Sequence, residues 1–399
     1  MKKENLKDLL KSFIIVAASF LCFFIINSIA CIFKENEFNI FKKIFTLDAY
    51  WYKSIIDNGY MKYAIGDPNN TIYVRGGVDG MANWAFFPLL PYLIKFIQKI
   101  TFDIFSIYFT SFLFSSICYV FFIYNLIQYL KEKNIKINYW LLIMIFVANT
   151  IFTFMFTLYT ESLTMLLIIL LLRYCEKKKY LLCGVLCALL SALKVQGCFW
   201  CIYLFVKIYI NLRKKGKNFI QTFFKTIITI IKNPYYFLSI AISPLGLFIF
   251  FYILNYYKLS PLSFIHVQAG WKKDNSFFLI TIFKDLIKGR LTSVYALFFV
   301  LFTIYLLLKK KYLNVFMLFL YIISACSSST ASIHRYMYSS VIFSIELYIV
   351  LIQCLENIKS KKSNKSTSYI ALNGFLIIKT IIFITYSLFI YEYGIWFLY

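Results

Sequence analysis

The stretch WAFFPLLPYLIKFIQKI, residues 84–100, decides how this chain is arranged. It is apolar, but it is short for a membrane span, contains Pro88 and Pro91, and carries Lys95 and Lys99. If it crossed a bilayer, the next basic cluster would lie outside and every later one would change sides. If it lies along the surface, those clusters all fall inside, as the positive-inside rule expects. Length and charge therefore predict an interfacial helix on the outer face.

The composition is that of a membrane protein. The chain has 399 residues, of which 61% are hydrophobic and 15% charged, and too few polar residues to cover a soluble protein of this length. Apolar runs long enough to span a bilayer recur, and the alternation typical of a β-barrel is absent. These features predict an all-α polytopic membrane protein. The net charge of +25 is explained by short clusters between apolar runs, so we expect membrane lipids and no nucleic acid as partners. Those clusters are residues 131–136, 176–179, 213–217, 309–311 and 358–365.

The apolar runs predict about eleven transmembrane helices in a single domain, 1–399. Lys2, Lys3, Lys7 and Lys11 precede the first run, which places the N-terminus in the cytoplasm and the C-terminus outside. Two long outer loops, 34–102 and 258–290, are where chemistry is expected, the first with interfacial helices. The segment 219–233 is amphipathic and is expected on the inner surface. The predicted spans are 12–33, 103–130, 139–157, 161–174, 180–195, 197–212, 235–257, 291–308, 312–330, 337–356 and 369–391.

Asp48 is the first candidate for chemistry. It lies in FTLDAYWYKSIIDNGY, residues 45–60, which predicts a short helix that stops at Asn58-Gly59. One interpretation is that Asp48 only caps this interfacial helix. The other is that it is a catalytic carboxylate among aromatic side chains at the membrane surface. Spacing alone does not separate them.

Two further motifs fall at the outer ends of predicted spans. Glu161, in TLYTESL (157–163), is either a carboxylate that suits a helix start or part of a site. Lys194, in SALKVQG (191–197), breaks the positive-inside trend and is accompanied by Gln196. Lys194 either extends to the membrane interface or meets the phosphate of a lipid.

The last two polar groups lie near the second outer loop and the late spans. FIHVQAGWKK (264–273) is cationic on the outer side, which calls for an anionic partner, either lipid headgroups or a substrate. SIHRYMYSS (332–340) holds an arginine that could bind a phosphate through a bidentate contact or simply mark a helix end. The candidate residues in these two motifs are His266, Gln268, Trp271, Lys272, Lys273, His334 and Arg335.

Taken in order, these pieces resemble a known family. LDAYWYKSIIDNGY followed by ANWAFFPLLPYLI resembles the D-x-x-x-Y…GY…FFPxxP pattern of the PIG-V-like mannosyltransferases, which include the second mannosyltransferase of GPI-anchor assembly and bacterial relatives. TLYTESL, ALKVQG, FIHVQAGW and HRYMYSS resemble further motifs in family order across about 45–345. Leu47 stands where the family usually has Trp, and Lys194 where it commonly has Arg.

The resemblance implies a GT-C-like fold and transfer of a sugar, expected to be mannose, from a polyprenyl-phosphate donor. Asp48 then maps onto the essential carboxylate of the first outer loop, which takes a proton from the acceptor hydroxyl. Because the phosphate leaves as an anion, it needs cations more than a general acid. Lys194, Arg335 and the pair Lys272 and Lys273 are expected to receive it.

The remaining roles follow from this assignment. Glu161 is expected to orient the acceptor or, alternatively, to hold a divalent metal, although no residue requires a metal or another cofactor. Tyr52 and Trp84 could line a sugar or prenyl cleft, or simply belong to the interfacial aromatic belt. The acceptor is a glycan, lipid or protein, and the enzyme is expected in a bacterial plasma membrane with its active site on the outer face.

Two other classes of protein remain open. A lipid or polysaccharide transporter, or flippase, would have matched Gly or Pro breaks and charges near the bilayer centre. The chain has only 13 glycines, and its notable charges fall at span ends. A non-catalytic assembly subunit would not depend on Asp48.

Overall fold

The computed structural model describes residues 3–34, 45, 47–147, 152–213, 218–271 and 276–360. Lys272, Lys273 and the predicted span 369–391 lie outside the described residues, which contain helices and no β-strand. In chain order the α-helices are α1 (Lys3–Lys34), α2 (Asp48–Asn58), α3 (Leu89–Ile100), α4 (Ile107–Glu132), α5 (Tyr139–Leu142), α6 (Glu161–Glu176), α7 (Tyr180–Leu193), α8 (Phe199–Leu212), α9 (Phe219–Lys232), α10 (Pro234–Ile242), α11 (Leu245–Tyr256), α12 (Ser263–His266), α13 (Phe278–Ile287), α14 (Leu291–Leu308), α15 (Tyr312–Cys326), α16 (Ile333–Ser339) and α17 (Ile342–Ser360).

Four helical stretches in the described part of the chain are long and apolar enough to cross a membrane: Ile107–Glu132, Val195–Leu212, Pro234–Tyr256 and Leu291–Leu308. Helices α16 and α17 add a fifth if they form one broken span, with a bend of 74° between them. The expected all-helical architecture, typical of a membrane protein, is confirmed for these residues. The total of about eleven spans stays a prediction.

The stretch 84–100 folds into a short helix. After a 3-10 turn at Asn83–Ala85, α3 runs from Leu89 to Ile100. Its 12 residues extend about 18 Å, against a hydrocarbon core of roughly 30 Å. Pro91 fits in the first turn, where no N–H is needed for the helical hydrogen bonds. The prediction of a short, non-spanning helix agrees with this length, while its position at a membrane surface stays a prediction.

The prediction of one regular helix over 139–157 is wrong for its described residues. Helix α5 ends at Leu142, a π-helical turn follows over Ile143–Val147, and a 3-10 segment occupies Phe152–Phe156. Such turns change the number of residues per turn and leave backbone groups available to other partners. The Tyr119 hydroxyl accordingly donates to the Phe146 carbonyl at 2.5 Å. This irregular segment leads directly to the motif that contains Glu161.

Helix α6 connects the two ends of the described bundle that carry ion pairs. It packs against α4, α7 and α16, and 11 of its 16 residues are buried. At its final turn, Glu176 forms ion pairs with Lys133 and Lys207 at 2.7 and 3.0 Å. Its 16 residues separate Glu161 from this basic end by about 22 Å.

The loop that follows α2 folds back onto this helix through a buried asparagine. The side-chain amide nitrogen of Asn83 donates two hydrogen bonds, to Ser54 Oγ and to the Gly59 carbonyl, each at 3.0 Å. Its oxygen accepts the Met61 N–H at 3.0 Å. Asn83 is fully buried, so these bonds replace water and fix the loop to the helix.

The region 258–290 meets this loop through a backbone contact between two glycines. A Cβ at Gly270 would lie 2.3 Å from the Gly80 carbonyl oxygen, closer than any side chain allows. Nearby, the Trp51 ring stacks on Phe86 at 5.9 Å and meets the edge of Trp271 at 5.3 Å. The two loop regions therefore form one layer beside α2.

Candidate functional site

Helix α2 begins at Asp48, and Leu47 occupies the N-cap position without a side-chain cap. The interpretation of Asp48 as the N-cap is therefore wrong, because its carboxylate is engaged elsewhere. Leu47 has a φ of 43°, a left-handed value that costs a non-glycine residue about 1–3 kcal/mol. The surrounding structure must hold this conformation, and with it the position of Asp48. The predicted stop is confirmed: Gly59, with φ 75°, closes the helix through its N–H to the Ile55 carbonyl at 2.9 Å.

Arg335, on α16, contacts both candidate carboxylates. Its Nη1 lies 2.5 Å from Asp48 Oδ2, and its Nε lies 3.5 Å from Glu161 Oε1. The guanidinium therefore stands between Asp48 and Glu161, which are supplied by the first helical turns of α2 and α6.

Lys194 completes the group. It follows the last residue of α7 in an extended conformation, and its Nζ lies 3.3 Å from Glu161 Oε1. Only 8% of Lys194 is exposed, so its ammonium is ion-paired inside the protein rather than extended to an interface. We call Asp48, Glu161, Lys194 and Arg335 the charge cluster.

Aromatic rings line the cations of the charge cluster. The Arg335 guanidinium lies over the rings of Tyr336, Tyr159 and Phe154, at 5.3, 5.5 and 5.8 Å from their centroids. Lys194 Nζ lies 5.1 Å from the centroid of Tyr336. These distances are within the range of cation–π attraction, which stabilises positive charge where water is largely excluded.

Tyr159 also reaches the proposed base directly. Its hydroxyl oxygen accepts the backbone N–H of Asp48 at 3.1 Å, while its ring lies beneath Arg335. Sequence reasoning assigned no role to Tyr159, Phe154 or Tyr336. The only signal was that Tyr159 belongs to the same motif as Glu161, and Tyr336 directly follows Arg335.

Tyr52 lies one helical turn after Asp48 and is buried beside the cluster. Burial, together with the Asp48 and Glu161 carboxylates, raises the pKa of Tyr52 well above its usual value. Tyr52 therefore stays protonated at neutral pH. Beside Glu161, Thr160 Oγ1 lies 3.5 Å from Glu161 Oε2.

The other predicted residues are distributed around this centre. Trp84 donates its indole N–H to the Met61 carbonyl at 2.5 Å, and Trp271 packs against Trp51 in the aromatic layer. Gln268 donates to the Phe264 carbonyl at 3.3 Å. His266 is exposed, and thus outside the buried cluster.

Two of the other predicted residues are buried and lie next to members of the charge cluster along the chain. His334 immediately precedes Arg335, and Gln196 lies in the 3-10 turn Val195–Cys198 that follows Lys194. The structure thus brings together Asp48, Tyr52, Glu161, Lys194 and Arg335, with Gln196 and His334 on the adjoining backbone.

The charge cluster is balanced but not uniformly buried. Two carboxylates face two cations, which offsets the large desolvation cost of burying charge. The side chain of Glu161 is 2% exposed, whereas those of Arg335 and Asp48 are 15% and 27% exposed. Anything arriving from solvent therefore meets Asp48 and Arg335 first.

Arg335 is the residue of the charge cluster that could bind an anion. Among the described residues, no group of three or more His, Cys, Asp or Glu side chains is arranged to hold a metal ion. The guanidinium of Arg335 occupies the space between Asp48 and Glu161. An accessible carboxylate next to a guanidinium can accept a proton while the cation holds a phosphate.

Comparison with protein-family models, curated proteins and solved structures finds no significant match to this chain.

Proposed function

We propose that the protein is a membrane glycosyltransferase of the GT-C class. It would transfer a sugar, mannose by the motif resemblance, from a polyprenyl-phosphate donor to a glycan, lipid or protein acceptor, with inversion at the sugar carbon. The observation that supports this best is the approach of Arg335 to Asp48, 2.5 Å between charged atoms. This contact places a candidate base, Asp48, beside a candidate phosphate-binding residue, Arg335, at a position that solvent can reach.

Each residue of the charge cluster has a role in this proposal. Asp48 takes the proton of the acceptor hydroxyl as that oxygen attacks the sugar carbon. Arg335 and Lys194 stabilise the departing phosphate, whose negative charge grows as the bond to the sugar breaks. Glu161, buried between the two cations, holds them in place.

The distribution of basic residues supports an outer-face location. The ion pairs of Glu176 with Lys133 and Lys207 lie at the opposite end of α6 from Glu161. The positive-inside rule assigns such a basic end to the cytoplasm. The site would then lie on the outer side of a plasma membrane, with the N-terminus inside.

The test is transfer from polyprenyl-phosphate mannose by membranes that contain the full-length protein. Removing a general base lowers rates by about 10²–10⁴-fold, so we expect a loss of that size in Asp48→Asn. Asp57→Asn is the matched control, because Asp57 lies on the same helix and pairs with Lys53 on its surface. Full activity of Asp48→Asn, at normal expression, would exclude Asp48 as the base.

The same assay addresses the two other classes of protein. If the wild type transfers no sugar from any polyprenyl-phosphate donor, a transporter or a non-catalytic subunit becomes the better explanation. A transporter would then move a labelled lipid-linked sugar across vesicles without forming a new glycosidic bond.

A further inference from the structure

The proposed base is already ion-paired in this structure. Asp48 Oδ2 lies 2.5 Å from Arg335 Nη1, so the carboxylate and the guanidinium neutralise each other. The guanidinium also covers the Asp48 oxygen Oδ2, so this oxygen is open to an acceptor hydroxyl only when the two residues separate. The same contact occupies the side of Arg335 that a phosphate would need.

We propose that Arg335 exchanges partners: the phosphate of the lipid-linked donor displaces Asp48, which frees the base only when the donor is bound. This inference rests on the proposed function and adds an order of events to it. The donor binds first, and only then can the acceptor hydroxyl lose its proton. The structure is that of the resting site, with its base neutralised.

Asp48, rather than Glu161, is the partner that gives way. The Asp48 side chain is 27% exposed and meets Arg335 through the outer nitrogen Nη1. Glu161 is 2% exposed and is also held by Lys194 at 3.3 Å. A phosphate arriving from solvent therefore reaches the Asp48 contact first, while Glu161 keeps both cations oriented.

The reaction balances in charge and atoms. The donor is a phosphodiester with a single negative charge, which Arg335 takes in exchange for Asp48. The bond from the sugar carbon to the phosphate oxygen breaks, and its electron pair stays on that oxygen. The acceptor oxygen bonds to the sugar carbon, and its proton moves to Asp48. The second charge on the phosphate thus appears beside Arg335 and Lys194 as Asp48 becomes neutral.

The exchange predicts that Asp48 competes with the ligand. We would measure binding of polyprenyl phosphate to the detergent-solubilised full-length protein, with polyprenol as the uncharged probe and inorganic phosphate as the probe without a chain. Asp48→Asn should bind polyprenyl phosphate at least about tenfold more tightly than wild type, given the usual coupling between close charges. Asp57→Asn should bind it like wild type, and Arg335→Gln should lose the preference for polyprenyl phosphate over polyprenol.

Equal or weaker binding of polyprenyl phosphate to Asp48→Asn would overturn the exchange, since Asp48 would then orient Arg335 rather than compete for it. Asp48→Ala, which removes the same charge, provides a second variant if the asparagine protein does not fold. If Asp48→Asn also binds inorganic phosphate more tightly than the wild type does, the gain in affinity comes from the phosphate group and does not require the prenyl chain.

The exchange and the proposed function fail in different ways. If Asp48→Asn loses transfer activity but gains no affinity, the base assignment stands and the exchange is wrong. If Asp48→Asn gains affinity while the wild type transfers no sugar, the exchange stands and the protein handles lipid phosphates by another activity.

Discussion

The ion pairs at the two ends of helix α6 differ in how deeply their carboxylates are buried. At its start, Glu161 is 2% exposed and holds Lys194 and Arg335. Near its last turn, Arg173 and Lys177 pair with Glu132 at 2.6 and 2.8 Å, and the Glu132 side chain is 33% exposed. We call this second group, with Glu176, Lys133 and Lys207, the basic-end network. The two groups therefore differ in the exposure of the shared carboxylate, 2% for Glu161 against 33% for Glu132.

Burial makes the difference between the two groups. Exposed ion pairs contribute about 0–1 kcal/mol each, because water and salt screen them. A buried carboxylate between two cations is costly to form, and removing one partner leaves uncompensated charge at a cost of about 3–5 kcal/mol. Replacing such a buried group by well-packed apolar side chains is often neutral or stabilising, so stability alone does not explain the charge cluster.

The largest effect is expected from Glu161→Gln. The buried ammonium of Lys194 would lose its ion-pair partner, at a cost of about 3–5 kcal/mol in the free energy of unfolding. The apparent melting temperature of the detergent-solubilised protein would measure this loss.

The matched control is the double variant Glu161→Gln with Lys194→Met. It removes the stranded charge as well and should recover part of the stability. If the two substitutions simply add their losses, the pair between Glu161 and Lys194 does not exist in the protein.

An intermediate effect is expected from Gly270→Ala, which tests whether the two loop regions form one layer beside the cluster. The new Cβ would lie 2.3 Å from the Gly80 oxygen, and crowding of this kind costs about 1–3 kcal/mol. The change in melting temperature measures this cost. Ala269→Ser is the control, because it adds one atom at the neighbouring residue, whose side chain is exposed. If Gly270→Ala left the protein as stable as the wild type, the two loops would not touch.

The smallest effect is expected from Glu132→Gln in the basic-end network. Lys177 is 41% exposed, and Arg173, which is 14% exposed, keeps its hydrogen bond to Asn125. The free energy of unfolding should therefore change by only about 1 kcal/mol. High salt should shrink the difference further. A loss as large as that of Glu161→Gln would remove the contrast between the two ends of α6.

Local signals in the sequence were enough for several features. The prolines and lysines of 84–100 predicted the short helix α3, and Asn58-Gly59 predicted the end of α2. The predicted topology also placed Glu161, Lys194 and Arg335 on one side of the membrane, because all three fall at the outer ends of predicted spans.

Other features depended on tertiary contacts that no local pattern encodes. Spacing alone allowed Asp48 to be a helix cap, because its partner Arg335 lies 287 residues away in the chain. The π-helical turn over Ile143–Val147 likewise includes a contact from a distant helix, the hydrogen bond from the Tyr119 hydroxyl to the Phe146 carbonyl. The aromatic rings around Arg335 could not be distinguished from the many others in a chain that is 21% aromatic.

The separation of Asp48 and Arg335 has a consequence for biogenesis. Helix α2 is synthesised long before α16, so Asp48 can pair with Arg335 only after a further 287 residues have been made. The pair of Glu161 and Lys194, only 33 residues apart, can close early and shield its own charges during insertion. Chains that stop before residue 335 would therefore keep an assembled inner pair and an incomplete outer one. The contact of Asp48 with Arg335 would therefore form after that of Glu161 with Lys194.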